Sequence, residues 1–365
     1  MSAEVSYSDV SAALRERGRF HGKVNPKEYH AWKARLAAEF GCPVVSKSGL
    51  HDFAKSPYRY RYNQLHDVHP EGRGLLLGSM VDCKVLTPAL WGDMFAEPWK
   101  PEGKYAEPWV PWAPTEEWKP KMKKDGTPGK QQDPDQKAAW DAAKEQDKLA
   151  KEAFEQEKAE LKAAFEADCA ARGITIVKHD DVELSEAVAA QATDHLASLG
   201  LVRDVSFASQ VAMWVYVDKL EGVKLATPLI VTGMIDILPL SGGSIMDLKT
   251  TSADVNNAEK LFYAMEDFRY GVQAALYLDL YNQCTGDARD SFSFLFVNTS
   301  VPAMSREVYL TPADVEMYRR DYMNLLRRYA LACANDEWGE ATLDAVYYQP
   351  TRREAGRFNR MMQED

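Results

Sequence analysis

Residues 206–251 constrain the fold more than any other stretch. Three apolar runs follow one another there: SFASQVAMWVYVD (206–218), LATPLIVTGMIDIL (225–238) and GSIMDLKTT (243–251). They are rich in β-branched residues and alternate in character, as half-buried strands do. Pro239-Leu240-Ser241-Gly242-Gly243 separates the last two and has turn chemistry. A chain with such a block must build a sheet, and its other segments must cover it.

Those other segments are mainly helical in spacing. Residues 9–20 and 27–40 read as helices, the second with Tyr29, Trp32, Leu36 and Phe40 on its apolar face, ended by Gly41-Cys42-Pro43. In SKSGLHDFAKSPYRYRYNQL (46–65) Ser48 is a natural N-cap, Leu50 and Phe53 point inward, and Ser56-Pro57 breaks the helix. Further helices are expected over 72–88, 134–172, 183–199, 256–282 and 312–334, and short strands over 174–181, 291–300 and 305–311. The order predicts one α/β or α+β domain. Residues 1–45 read as an N-terminal helical segment, 46–335 as the main domain with an insertion at 96–172, and 336–365 as a tail.

Bulk properties narrow the class. With 365 residues and 45% hydrophobic content the chain can bury a sizeable core. Five scattered cysteines without CxxC spacing predict reduced thiols in a cytoplasm, with neither a disulfide framework nor a structural zinc. No apolar run is long enough to span a membrane, and the N-terminus lacks a signal core. His66 and His69 could share a helical face but read as surface residues. The net charge of −11 argues against a nucleic-acid binder unless positive charge lines one channel. Residues 1–95 carry 13 basic and 10 acidic side chains, a net of +3, so the remainder carries −14.

The chemistry gathers where acidic residues interrupt apolar strands. Asp236 lies between core-facing Ile235 and Ile237. Asp247 and Lys249 share one face of the next strand, with Met246 and Leu248 on the core side. Carboxylates brought close repel, which favours a hard divalent cation, Mg²⁺ or Mn²⁺, over zinc. Such an ion polarises a phosphate and acidifies a water, and Lys249 would orient that water or neutralise developing charge. Asp82, in an apolar helix, needs a partner, a metal being one and an ordinary surface position the other reading. Downstream, Gln273 and Tyr277 lie on one helix face with Arg269 and Tyr270 a turn ahead. They suit phosphates or a bound water, or simply local backbone groups. Lys55, Arg59 and Arg61, interleaved with Tyr58, Tyr60 and Tyr62, form a patch that could grip phosphates and stack bases, or be a solvated helix end. The insertion opens with a Pro/Trp/Lys-rich stretch (96–133) and a basic loop (119–130). Its long helix has sparse apolar residues at Trp140, Leu149, Phe154, Leu161 and Phe165. A DNA-contacting arm or an oligomerisation element are readings of it; packing on the parent domain is the default.

Four segments in order over 46–282, SKSGLHDFAKSPYRYRY, GSMVDCKVLTP, GMIDILPLSGGSIMDLKTT and YGVQAALYLDLY, resemble the PD-(D/E)XK nuclease superfamily. The resemblance is to its RecB-like branch, in particular the phage and prophage RecE-type (exodeoxyribonuclease VIII-like) exonucleases. It implies a restriction-endonuclease-like core, a central mixed sheet flanked by helices. It implies a metal-dependent enzyme that degrades duplex DNA ends 5′ to 3′ and leaves 3′ single strands for a single-strand annealing recombinase. A ring-shaped homo-oligomer in a bacterial cytoplasm would follow. The expected catalytic set is Asp236, Asp247, Lys249, Gln273 and Tyr277, and the expected metal ligands are Asp82, Asp236, Asp247 and the Leu248 carbonyl. Asp82 departs from the family pattern, where many relatives carry His, and Gln210 stands where relatives often carry Glu. An endonuclease of the same superfamily and a non-catalytic DNA-binding module are the competing readings; intact Asp236, Asp247 and Lys249 argue against the latter.

Overall fold

The computed structural model describes residues 5–16, 18–68, 72–124 and 126–341, so His69 and the tail beyond 341 lie outside the described residues. The N-terminal part is not all helical. It holds α1 (Tyr7–Arg15), β1 (Arg19–Lys23), α2 (Pro26–Phe40) and β2 (Val44–Ser46). Residues from Arg19 onward are extended because they pair antiparallel with Val211–Val215, a partner that local spacing cannot reveal. Next come α3 (Lys47–Lys55) and α4 (Pro57–Leu65). Ser46 takes the N-cap position of α3 instead of Ser48, because the sheet holds the chain extended up to it. Ser56 breaks the helix as expected: its hydroxyl accepts the Arg59 amide at 3.2 Å, and Pro57 opens α4. α5 (Arg73–Leu86), α6 (Trp91–Met94) and β3 (Phe95–Ala96) follow.

The insertion comprises β4 (Pro120–Met122), β5 (Pro128–Gln132), the 38-residue α7 (Pro134–Ala171) and β6 (Thr175–Ile176), which pairs with β3. Two aromatic residues of α7 pack on the loop before it. Phe154 meets Tyr105 and Trp109 at 5.0 and 5.4 Å, and Trp140 meets Trp112 at 6.4 Å. Asp147 accepts from Trp109 Nε1 and the Trp112 amide at 3.2 and 3.0 Å. Leu149 and Leu161 stay exposed. A helix polar nearly all round thus obtains its apolar cover from the tryptophan-rich loop.

The remaining elements are α8 (His179–Ser198), β7 (Phe207–Leu220), β8 (Val223–Pro239), β9 (Ile245–Thr251), α9 (Ala258–Asp267), α10 (Tyr270–Thr285), β10 (Phe292–Asn298), β11 (Ser305–Tyr309) and α11 (Pro312–Asn335). The strand expected over 174–181 shrinks to two residues, because Asp180 and Asp181 enter the first turn of α8, where the helix dipole favours them. The helix expected over 256–282 is two helices, broken at Arg269, whose φ is +50°. α10 is buried on nearly every side and lies so close to α11 that a Cβ on Gly271 would meet the Tyr318 ring at 2.1 Å. α9 buries Leu261 alone, so the chain turns as it leaves the core.

The central sheet runs β1-β7-β8-β9-β10-β11, with β2 also beside β8. β7, β8 and β9 run antiparallel in turn, whereas β9 and β10 are parallel, so the sheet is mixed. One face is covered by α3, α4, α10 and α11 through residues such as Met213, Val231, Ile235, Phe292 and Phe294. The other is covered in two patches. α1 and α2 pack on Trp214 and Ile230, while α5 and α8 pack on Met246, Leu248 and Leu295. This is a mixed α/β architecture with a central mixed sheet flanked by helices. Among the described residues no helix is long and apolar enough to cross a membrane.

Candidate active site

β8 changes partner along its length. Ile230–Thr232 pairs with β2, whereas Ile237 pairs with Met246 of β9. The strands expected to form a hairpin do so near the turn and then part. Asp236 sits at the parting: its Oδ2 accepts the Leu248 amide at 3.1 Å, doing the work of a backbone carbonyl.

The strand beside it is kinked at the same level. Ser209 pairs with Ile237 and Val211 with Ile235, but Gln210 and Asp236 between them are unpaired. Gln210 has φ of +54°, the left-handed region a non-glycine residue rarely enters, and its carbonyl accepts the Val24 amide at 3.4 Å. The alternation of faces slips there: Val211 and Met213 face α10, whereas Phe207 packs among the α5 and α8 residues. Gln210 Nε2 donates to Asp236 Oδ1 at 3.4 Å, while its buried Oε1 has no hydrogen-bond partner.

Above these two residues, where the α2 and α5 patches fail to meet, lies a cavity of about 320 Å³. Lys27 and His30 of α2, Ser79, Asp82 and Cys83 of α5, and Gln210 and Asp236 of the sheet all line it. α5 approaches β9 closely because Gly78 has no side chain; a Cβ there would lie 3.1 Å from Thr250 Oγ1.

Asp247 and Lys249 take the opposite face of β9, as alternation requires, with Met246 and Leu248 in the core. Asp247 is almost fully buried, and its two oxygens are engaged separately. Gln273 Nε2 donates to Oδ1, and Lys249 Nζ forms an ion pair with Oδ2. Tyr277, one turn after Gln273, packs its ring on Gly233, where a Cβ would come within 2.7 Å of it. Tyr270 lies under two cations, Lys249 Nζ at 5.1 Å and Lys47 Nζ at 4.8 Å from its ring centre.

The ionisable groups feel each other across the gap between the strands. Burial pushes Asp82 up to about 7, with Lys249 pulling it down and Asp247 pushing it further up. Asp236 stands well above the usual carboxylate range, first through burial and then through the charges of Asp247 and Asp82. Burial alone would lower Lys249; Asp247 and Asp236 outweigh it and hold the ammonium above its ordinary value. Lys47 is lowered to about 7 by burial, then by Lys249. Burial also raises the Tyr277 phenol, as do Tyr29, Asp247 and Asp236.

Among the described residues, no three His, Cys, Asp or Glu side chains stand close enough together to hold a metal ion as they are. Asp82 and Asp236 face the cavity, while Asp247 is turned to Lys249 and Gln273. The donor chemistry nevertheless suits a hard cation: carboxylates and an unpartnered amide oxygen on Gln210.

The sequence-derived basic patch divides. Arg61 is tied to Asp336 at 3.4 Å and lies 5.2 Å from the Trp338 ring centre, and Tyr60 is buried against Tyr329. Arg59 opens onto a surface cleft of about 380 Å³ with Tyr58 and Tyr62. Lys55 is exposed and, with Lys47 and Arg269, helps to hold His51 down at about 4, after burial. Arg269 donates to Asp321 at 3.1 Å. Sequence reasoning missed Lys47, Lys27, His30 and the conformation of Gln210. Lys47 alone carried a signal, as it lies in the quoted SKSGL segment.

No family model matches the chain, and no curated protein does. A solved structure similar to it is a "Putative exonuclease" from Eubacterium rectale, at a TM-score of 0.42 and 15% identity over 83% of this chain and 91% of that one.

Proposed function

We propose that the protein is a divalent-metal-dependent deoxyribonuclease of the PD-(D/E)XK type that acts on duplex DNA ends as RecE-type exonucleases do. The observation that carries this reading is that, where β8 and β9 part, Asp236 holds the Leu248 amide beside the Asp247–Lys249 ion pair backed by Gln273, with Asp82 on the wall of the cavity that Asp236 faces. Buried carboxylates that repel one another call for a cation, and a phosphodiester brought among them calls for it more strongly.

Asp82, Asp236, Asp247 and the Leu248 carbonyl would hold Mg²⁺ or Mn²⁺. The Leu248 amide faces Asp236, and in an extended residue the carbonyl leaves on the same edge. The ion supplies phosphate polarisation and an acidified water when bound. Gln273 fixes the orientation of Asp247. Lys249 pairs with the Asp247 side chain and can set its ammonium against the phosphate oxygen on which charge develops. Lys47 and Tyr270 border the same ammonium and would position the neighbouring phosphate. Tyr277 packs its ring on Gly233 of β8 and would support that strand. Lys55, Arg59 and Arg269 are the groups left to hold DNA further out.

Digestion of linear duplex in Mg²⁺ or Mn²⁺, beside an Asp247→Ala control, tests the reading. Equal digestion by the variant, or none by the wild type, would sink it. Cleavage of closed circular DNA would make the protein an endonuclease instead. Loss of a 5′ label before a 3′ label would establish the 5′-to-3′ polarity that hands 3′ strands to a recombinase. Light scattering reads the ring-shaped oligomer.

A further inference from the structure

We propose that Phe268 is a stacking platform for a base at the end of the bound DNA, next to the phosphate to be cut. The inference rests on the nuclease reading and deepens it. Phe268 occupies the break between α9 and α10 and leaves 51% of its surface open. It is not a loose surface ring. It stacks on Tyr270 at 5.5 Å with an 18° tilt, and Tyr270 stacks on buried Phe294 at 5.3 Å and 27°. His51 stacks on Phe268 as well, at 6.4 Å and 28°, and half of the residue's surface still stays open. The backbone is pinned as well: the Phe268 carbonyl accepts Lys47 Nζ at 2.7 Å, and the next residue, Arg269, is held in its left-handed conformation with its guanidinium on Asp321.

This column of rings ends beside the chemistry. The same Tyr270 that backs Phe268 lies under the ammonium groups of Lys249 and Lys47. An exposed flat ring backed by a ring that carries two lysine ammonium groups is the kind of pairing by which proteins hold nucleic-acid ends: the ring takes the base and the cations take its phosphate. A base inside a duplex is stacked on both faces, whereas the last base of an end has one face open to such a ring. The platform therefore selects a DNA end over an interior stretch, and the substrate class becomes a DNA terminus.

The test uses full-length wild type, Phe268→Ala and Phe268→Trp, with DNA carrying 2-aminopurine at the terminal position. Binding is read in Ca²⁺ and cleavage in Mg²⁺. The platform predicts that wild type and Phe268→Trp quench the fluorophore on binding and that Phe268→Ala does not. It also predicts that KM for linear DNA rises about 5- to 100-fold in Phe268→Ala, with kcat changing far less, and that Phe268→Trp restores it. A melting temperature equal to wild type in Phe268→Ala separates contact from folding. Equal quenching and equal KM in Phe268→Ala would overturn the platform while leaving a cleaving wild type as a nuclease. Quenching lost in Phe268→Ala, in a protein that cuts nothing in Mg²⁺ or Mn²⁺, would keep the platform and end the nuclease reading. Self-association abolished by Phe268→Ala, with DNA binding intact, would assign the ring to a protein interface and overturn the proposal.

Discussion

The Asp236 carboxylate accepts the Leu248 amide at 3.1 Å and so stitches β8 to β9 just past their last backbone pair. One side chain is thereby asked to serve as a structural bridge and as an anion beside two other carboxylates. These demands conflict, and they can be separated experimentally.

Asp236→Asn keeps an acceptor for Leu248 but removes the charge. Cleavage is expected to fall by about 100-fold or more, in the range seen when a stabiliser of developing charge is lost. The same variant is expected to be more stable without metal, since burial and like charges disfavour the native carboxylate. Urea midpoints measured in EDTA check this; a less stable variant would show that the bridge outweighs the repulsion.

Asp82 ties stability to pH. Its folded value of about 7 lies above its ordinary 3.8, so the fold favours the protonated form. That contribution is complete below the ordinary value and is lost as pH rises through the folded one. Metal-free protein should therefore melt at a higher temperature near about pH 5.5 than near about pH 8. Asp236 shifts in the same direction and adds to the slope. Asp82→Asn should flatten it in thermal melts. Added Mg²⁺ should stabilise most at the alkaline end, because the ligands must lose their protons to bind.

Gly233 gives Tyr277 its seat, since a Cβ would meet the ring at 2.7 Å and Leu280 at 3.3 Å. Gly233→Ala should cost about 1–3 kcal/mol in denaturant unfolding, the usual cost of overpacking. Tyr277→Phe keeps the ring and should change stability and cleavage little by comparison. A large loss of turnover in Tyr277→Phe would give the hydroxyl a direct part in the chemistry.

Arg61 and Lys55 are neighbours in sequence with different duties. Arg61→Ala should lower the melting temperature, through Asp336 and Trp338, and leave the salt dependence of DNA binding unchanged. Lys55→Ala and Arg59→Ala should leave the melt unchanged, weaken binding to all sequences alike and reduce the salt slope by about one each. Fluorescence anisotropy at several salt concentrations distinguishes the two behaviours.

Much of this was legible before the fold was known, for a physical reason. Strand alternation is local, so the three apolar runs and the shared face of Asp247 and Lys249 could be read directly. Helical periodicity is local too, and it placed Asp82 on α5 and Gln273 on α10. What escaped depends on contacts far along the chain. The left-handed turn at Gln210 is stabilised by Val24, and β1 is extended because of Val211–Val215. The cavity wall of Lys27 and His30 exists only because α2 and α5 cover the same face of the sheet in separate patches. The break at Arg269 answers to α11, and the partners of α7 lie in a loop with no periodicity of its own.

The cavity draws its wall from α2 and α5 and its floor from β7 and β8, while the Asp247 side chain is held by Gln273 of α10. No shorter stretch of the chain contains these groups. During synthesis from the N-terminus the arrangement cannot close until Gln273 has left the ribosome. A product that stops short of Gln273 therefore holds the individual side chains without the arrangement they form.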